Sequence, residues 1–488
     1  MDLMNLPLRE LAERVNEKPD LLDNMPGDLA FLCSKSQNLQ LFISFEPQQV
    51  FQEVTVIKEA LREGKTLPLA GATTVLADNI CTANLATTCG SRMLAAYEPP
   101  WHARVVELLK NQGAIVVGKA NMEEFGVGSW GNSSHYGTVK NPWEPDRTAG
   151  SGAAAAVATL ASLALASDTC GEARQSAAFC GVLALKPSYG RISRKGVIDY
   201  APSLAQPGVM ARNSRDLALA LETAAGEDPA DVTSLKEPAP RFEDRLNHEE
   251  NLTFRAAVPE NWHEAPGMDA DVREAFRAQL DALKKAGMVI EFVSLEVFQY
   301  AYLAASTISA VEAFSNLANF DGVRFGFRGD GQSLQDMYIS TRTDGFSSKL
   351  KQFLTSGALF SSDQYVENYY VKSQKMRTRI NRELEDCLAH YHFLLTPTTP
   401  CAPPLLDAPQ PRWQLPDPVN YFTAAANLAG LPALTFPVHS ASGMPSGLQL
   451  MGRFGDELSL LKTSLRIENE CSLKFQVPAD KGQGGCKN

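Results

Sequence analysis

Leu6, Leu8, Leu11 and Val15 recur at helical spacing near the start of the chain, and QQVFQEVTVIKEALR, from Gln48 to Arg62, repeats that period before a turn at Gly64. Both segments read as amphipathic helices. From Leu67 to about Leu217, short apolar runs alternate with glycine-rich turns. GAIVVGKA reads as strand into turn, and AAAAVATLASLALA as a buried alanine-rich core helix, too short and too weakly apolar to cross a membrane. This alternation predicts an α/β core. Between about Gly226 and Asn251 the chain turns polar and Pro/Glu-rich, a solvated surface excursion, and a helical, aromatic-rich region follows from Asp269 through Tyr370 to Cys387. FLLTPTTP, NLAGLPALTFPV and SGLQLMGR then return to strand and turn around a Pro-rich loop at Cys401–Pro418, so the sheet is expected to close late in the sequence. The tail DKGQGGCKN is expected to be disordered.

Composition narrows the classes. With 488 residues, 44% hydrophobic and 21% charged, the chain can bury a large core and is too apolar to be disordered. Its 45 Lys+Arg against 56 Asp+Glu give a net charge of -11, which opposes non-specific adhesion to nucleic acid or an anionic membrane. The start MDLMNLPLRELAERV is no secretory signal and no apolar run reaches a membrane span, so a cytoplasmic location is expected. Nine cysteines stand singly with no CxxC pair, which predicts reduced, inert thiols and no structural zinc. His390-x-His392 has the only close histidine spacing and reads as an edge pair rather than a metal site. The aromatics Phe314, Phe320, Phe325 and Phe327 read as core or pocket wall. Neither GxxxxGK[ST] nor GxGxxG occurs, so nucleotide binding has no support, and no cofactor or metal is expected.

Two stretches carry a resemblance: GKANMEEFGVGSWGNSSHYGTVKNPWEPDR, and SDTCGEARQSAAFCGVLALKPSYGRISRKGVI. They resemble the amidase signature family and, more narrowly, the A subunit of the glutamyl-tRNA(Gln)/aspartyl-tRNA(Asn) amidotransferases. LAGATTVLADNICTANLATTCGSRML, EAFSNLANFDGVRFGFR, YYVKSQKMRTRI, LLTPTTP and NLAGLPALTFPV extend the likeness collinearly from about Leu67 to Gly455. The resemblance implies an α/β/α fold with a central mixed β-sheet flanked by helices. Its expected organisation is an N-terminal helical segment (1–66), an amidase signature domain (67–475) and a disordered tail (476–488). Within the domain, core halves at about 67–225 and 390–475 would surround a helical insertion at about 252–388. It also implies a Ser, bridging Ser and Lys triad. In that chemistry a neutral lysine draws a proton through the bridging serine so that the nucleophilic serine attacks an amide carbonyl, while backbone N–H groups hold the oxyanion.

At each of these places the sequence departs from the family pattern. The lysine of an A-I-K-D-N pattern is matched by Ala77 in Val75–Asn79, and a methyl group accepts no proton. The nucleophile that follows S-D-T-G-G is matched by Glu172, behind Ser167, Asp168 and an oxyanion turn of Thr169, Cys170 and Gly171. An anion there would repel a developing oxyanion. Glu172 could serve as a general base on water, or pair with Arg174 or another cation as structural filler, and the second reading is preferred. The bridging-serine turn is shortened to Thr148-Ala149-Gly150-Ser151-Gly152, with Ser151 as its remnant. Cys170 is a candidate substitute nucleophile, although no paired base is visible near it. At the substrate end, the family's K-R-R run becomes Lys351-Gln352-Phe353, and an aspartate before N-L-A-G becomes Asn420. Phe325, Gln352, Phe353 and Asn420 are thus expected to line an altered substrate pocket.

Five changes fall on one site while Asp168, Thr169, Arg174, Gln175 and LKPSYGR keep the framework. Random decay would strike scaffold and site alike. Two functions compete. One is a non-hydrolytic family member acting by binding or assembly with amidotransferase B- or C-like subunits or a true A subunit. The other is a working A subunit or rewired amidase in a tRNA-dependent complex that uses glutamine or ammonia.

Overall fold

The computed structural model describes residues 3–238, 240–246, 254–324, 326–407, 418–440, 442–471 and 475–478. Within them eleven strands form one mixed sheet. They are β1 (Phe42–Phe45), β2 (Thr73–Ala77), β3 (Ile115–Ala120), β4 (Leu163–Asp168), β5 (Leu183–Lys186), β6 (Gln206–Ala211), β7 (Arg255–Pro259), β8 (Val289–Val293), β9 (Phe393–Pro397), β10 (Ala433–His439) and β11 (Pro445–Met451). Their spatial order is β1-β3-β2-β4-β6-β5-β10-β11-β9-β7-β8. β2 runs parallel to both β3 and β4, whereas the neighbours from β4 across to β9 pair antiparallel. β10 and β11 enter mid-sheet between β5 and β9, so the sheet does close late in the sequence.

The helices cover the sheet on both sides, as the α/β/α expectation requires. The first half of the chain contributes α1 (Leu8–Glu17), α2 (Met25–Ser36), α3 (Pro47–Arg62), α4 (Arg104–Asn111), α5 (Gly152–Thr159), α6 (Glu172–Cys180) and α7 (Ser214–Ala224). Then come α8 (Phe242–Arg245), α9 (Ala270–Lys285), α10 (Val297–Asn316), α11 (Leu334–Gly345), α12 (Ser348–Phe360), α13 (Lys372–His390), α14 (Ala424–Ala429) and α15 (Glu457–Glu470). α1 buries Leu8, Leu11, Ala12 and Val15, the stripe that its spacing marks. No helix among the described residues is long and apolar enough to cross a membrane.

The structure corrects four readings. The alanine-rich stretch is not one helix. α5 stops at Thr159, the Ser162 N–H bonds back to Thr73, and Leu163–Asp168 continues as β4 between β2 and β6. A strand covered on both faces has no polar alternation and so reads like a buried helix. Secondly, the region expected to be a helical insertion supplies β7 and β8, which extend the sheet in parallel beyond β9. Thirdly, the N-terminal segment is not purely helical, because its β1 pairs antiparallel with β3. Fourthly, the polar excursion after Gly226 is not wholly solvated: α8 plants Phe242, fully buried, in the main core. Most of the tail expected to be disordered, 479–488, lies outside the described residues, as does much of the Pro-rich loop.

A second, smaller core sits between α10, α12 and the loops beyond β2 and β3. It contains Phe125, Tyr200, Phe320, Phe346 and Phe353. Its Tyr200 reaches the site described below through the phenol hydroxyl.

Candidate functional site

The parallel strands β2, β3 and β4 end side by side, and a pocket opens just beyond their C-terminal ends, where open α/β sheets characteristically place ligands. Its enclosed volume is small, about 30 Å³, and its lining includes Ala77, Glu123, Ser129, Ser151, Ser167 and Glu172. The three positions singled out as the displaced triad, Ala77, Ser151 and Glu172, therefore do meet.

The turn after β4 explains how Glu172 is placed. Gly171 has φ 123°, and a Cβ there would lie 2.1 Å from the Thr423 Oγ1, so only glycine fits. The Thr423 hydroxyl donates to the Cys170 carbonyl at 2.6 Å and holds the turn against the start of α14. The Thr169 and Cys170 N–H groups are thereby left near the start of α6. Both donate to Glu172 Oε2, at 2.6 and 2.9 Å, and the Tyr200 hydroxyl donates to Oε1 at 3.1 Å. Burial and the nearby Asp168 push the Glu172 carboxyl up to about 7, with the backbone bonds pulling the other way.

Among the described residues no cation pairs with Glu172, which corrects the filler reading. The Arg174 guanidinium turns away from the pocket and clamps Asp168 at 2.9 and 2.8 Å. It also donates to Gln449 Oε1 at 2.6 Å, Asn427 Oδ1 at 2.7 Å and the Thr423 carbonyl at 3.1 Å. Burial pushes the Asp168 carboxyl up, but the Arg174 charge and its hydrogen bonds prevail and hold it below the ordinary range. Two carboxylates four residues apart are thus satisfied in opposite ways, one by a full charge and one by neutral donors.

Ala77 closes β2 with its methyl on the pocket, and no lysine or histidine is among the described lining residues. Lys119, Lys186 and Lys349 are engaged elsewhere, Lys186 donating to the Pro187 carbonyl at 2.8 Å. Lys119, fully buried near the end of β3, donates to the Ile80 carbonyl and to Thr87 Oγ1 and stands 4.0 Å from Asp78. Lys349, in the first turn of α12, pairs with Glu123 at 3.1 Å and with Asn132 Oδ1 at 3.2 Å. Ser151 caps α5, its Oγ accepting the Ala153 N–H at 3.1 Å, and Ser167 Oγ accepts from Asn79 Nδ2 at 2.9 Å. Cys170 is buried and does not line the pocket, and its thiol lies against the Tyr200 and Ser309 hydroxyls. Burial, followed by the Glu172 charge, drives that thiol far above its ordinary range, which argues against the substitute-nucleophile reading.

The expected substrate end divides. Phe353 is buried in the smaller core, its ring edge-on to Tyr200 at 6.0 Å. Gln352 is exposed on the outer face of α12 and is not among the residues lining this pocket, because adjacent helix positions point about 100° apart. Asn420 Oδ1 accepts from the Ser129 hydroxyl at 2.8 Å and from Gln175 Nε2 at 2.6 Å, so it is tied into the wall. Phe325 lies outside the described residues. Sequence reasoning misses Tyr200 and the Glu123–Lys349 pair, whose partners lie 28 and 226 positions away with no motif linking them.

A mixed sheet between helical layers, with a pocket at the ends of three parallel strands and a glycine turn leading into a helix, defines an α/β/α protein with its pocket where such sheets place ligands. The chain belongs to the amidase family, whose model, described as Amidase, matches residues 33–461. The glutamyl-tRNA(Gln) amidotransferase A subunit of Moorella thermoacetica is 37% identical over 489 residues, covering 98% of this chain and 99% of its own. The protein of that name from Halorhodospira halophila is 38% identical over 450 residues, covering 90% and 92%. The crystal structure of the glutamyl-tRNA(Gln) amidotransferase A subunit from Thermotoga maritima superposes with a TM-score of 0.80 at 29% identity, covering 99% of each chain.

Proposed function

We propose that this chain is an amidase-family protein, like the A subunit of the glutamyl-tRNA(Gln) amidotransferases, that does not hydrolyse amides and acts by binding or assembly. The observation that carries this reading is the pocket lining: a methyl at Ala77, a carboxylate at Glu172 and no amine or imidazole beside them among the described residues. Acyl transfer needs a nucleophile whose proton has somewhere to go. Ser151 and Ser167 line the pocket, but the one carboxylate beside them, Glu172, is bonded to the Thr169 and Cys170 N–H groups and the Tyr200 hydroxyl rather than to either serine, and Cys170 is buried with its thiol protonated. The full-length similarity to chains named as amidotransferase subunits supports partners of the B or C kind, or a true A subunit that this chain accompanies.

The test is turnover. Purified protein is expected to release no ammonia from glutamine, asparagine or simple amides. The double variant Ala77→Lys with Glu172→Ser is expected to stay inactive, because the shortened Ser151 turn still lacks a placed bridging hydroxyl. Hydrolysis at an ordinary enzymatic rate, abolished by Ser151→Ala, would return the chain to the working amidotransferase subunits. Affinity purification from the native organism, with identification of the co-purifying chains, separates the partner readings.

A further inference from the structure

The pocket at Glu172 encloses about 30 Å³, room for no more than a water or two. A separate cleft of about 580 Å³, a volume ordinary for a small-molecule site, adjoins the smaller core. It is bounded by the β5–β6 connection at 194–202, the loop 230–233 after α7, and the end of α10 with the chain beyond it, 316–324. Leu317 and Phe320 of that core line it, together with Val197 and Ile198. Val232, 99% exposed, adds a further apolar side chain that nothing among the described residues covers.

The walls of the cleft are held by their own hydrogen bonds. The Arg194 guanidinium donates to the Pro202 carbonyl at 2.5 Å and to Thr233 Oγ1 at 3.3 Å, and it lies 5.0 Å from the centre of the Tyr189 ring. Asn316 Nδ2 donates to the Asp199 carbonyl at 3.0 Å, which ties the end of α10 to the connection. Asp231 is fully engaged, accepting from the Arg194 N–H at 2.7 Å and from the Thr233 N–H and hydroxyl at 2.9 and 2.6 Å. Burial pushes the Asp199 carboxyl up to about 7, with the Arg194 charge pulling the other way, so it is about half protonated near neutral pH. One lining carboxylate is thus bonded and the other partly neutralised. Lys195 and Arg324, on the same cleft, pair with no carboxylate among the described residues, in a chain whose net charge is -11.

We infer that this cleft binds a small organic monocarboxylate with an aromatic or branched apolar body, Lys195 and Arg324 taking the carboxylate and Val197, Ile198, Phe320 and Val232 the body. The apolar lining calls for a body, because covering it contributes about 25 cal/mol per Å². The two unpaired cations call for an anion. Asp199 and Asp231 on the same lining count against a second negative charge, so a carboxylate is preferred to a phosphate dianion. The inference goes beyond the proposed function and uses no residue of the Glu172 pocket.

The experiment is calorimetric titration of the full chain near neutral pH, with a parallel thermal melt, using phenylacetate, indole-3-acetate and 4-methylpentanoate. At least one is expected to bind saturably and raise Tm. The primary amide of the tightest binder, the same body without the charge, should bind about tenfold more weakly. Acetate, the charge without the body, should give no saturable signal, and phenyl phosphate, largely dianionic at this pH, should bind more weakly than phenylacetate. Lys195→Gln and Arg324→Gln should each weaken the carboxylate about two- to fivefold, the range for exposed charges. The double variant should bind it no better than wild type binds the amide, and added salt should weaken wild type but not the double variant. Lys65→Gln, which removes an exposed cation elsewhere, should change nothing. No saturable binding by any of the three carboxylates overturns the inference. So does a double variant that binds like wild type, or an amide or phenyl phosphate that binds as tightly as the carboxylate. Ammonia release from glutamine would sink the proposed function and leave this cleft standing, whereas absent carboxylate binding would sink this inference and leave the proposed function as it is.

Discussion

The two sides of the turn at Thr169–Gly171 differ sharply although they share residues. Behind it lies the Asp168–Arg174 pair, fully buried, with Gln449 and Asn427 bonded to the guanidinium and joining strands β4 and β11 to helices α6 and α14. In front of it lies the pocket, where Ala77 and Glu172 face the cavity, and beyond it the smaller core in which Phe353 packs on Tyr200. A buried charge pair cannot lose one partner cheaply, because the remaining charge is stranded in a poor solvent. A pocket can exchange a nucleophile and a base for other side chains with little cost in folding. Such a difference lets a framework persist while the residues of its pocket change, which is the pattern the non-hydrolytic reading requires.

The largest effect that would test this contrast is Arg174→Ala. It should cost about 3–5 kcal/mol or more in urea unfolding, because it leaves Asp168 buried and unpaired. The paired Asp168 contribution is present above its unfolded pKa and is lost as pH falls through its depressed folded value. An Arg174→Ala protein as stable as wild type would erase the distinction between the two sides. Next comes Phe353→Ala, expected to cost about 3 kcal/mol through the cavity left in the smaller core. A negligible loss would mean that the wall beside Tyr200 is loosely packed. Of similar size is Glu172→Gln. With a folded value of about 7 above an unfolded value near 4.5, the Glu172 contribution is fully present below about pH 4.5 and lost as pH rises through 7. Glu172→Gln should therefore be more stable than wild type by about 3 kcal/mol at pH 8, with the gap closing near pH 5. A gap independent of pH would show that Glu172 is not the titrating group. The smallest effect is Gln352→Ala, expected within about 0.5 kcal/mol of wild type because its side chain faces solvent.

Much of the site is legible in the residues themselves, and for a chemical reason. Which side chain stands at position 77 or 172 is a covalent fact, and a methyl or a carboxylate has the same reactivity limits in any fold. Strands β3, β9 and β10 are likewise visible, since each is a short apolar run bounded by turn residues. The failures fall where local pattern carries no information about depth. LALASD looks like more helix because β4 is covered on both faces, and the strands β7 and β8 hide in a stretch whose helices dominate its composition.

Residue identity and collinear order were enough to establish the family, and they carry the proposal that Ala77 and Glu172 stand where the family pattern has its base and nucleophile. What Glu172 touches is a matter of packing. Its donors come from the turn just before it and from Tyr200, 28 positions further along the chain, and no spacing rule connects them. The same holds for the separation of neighbours on α12, with Phe353 inside and Gln352 outside, and for Lys349 reaching Glu123 across 226 positions. Burial, hydrogen-bond direction and proton affinity are properties of neighbours in space, and the chain specifies those neighbours only through the packing of the whole sheet.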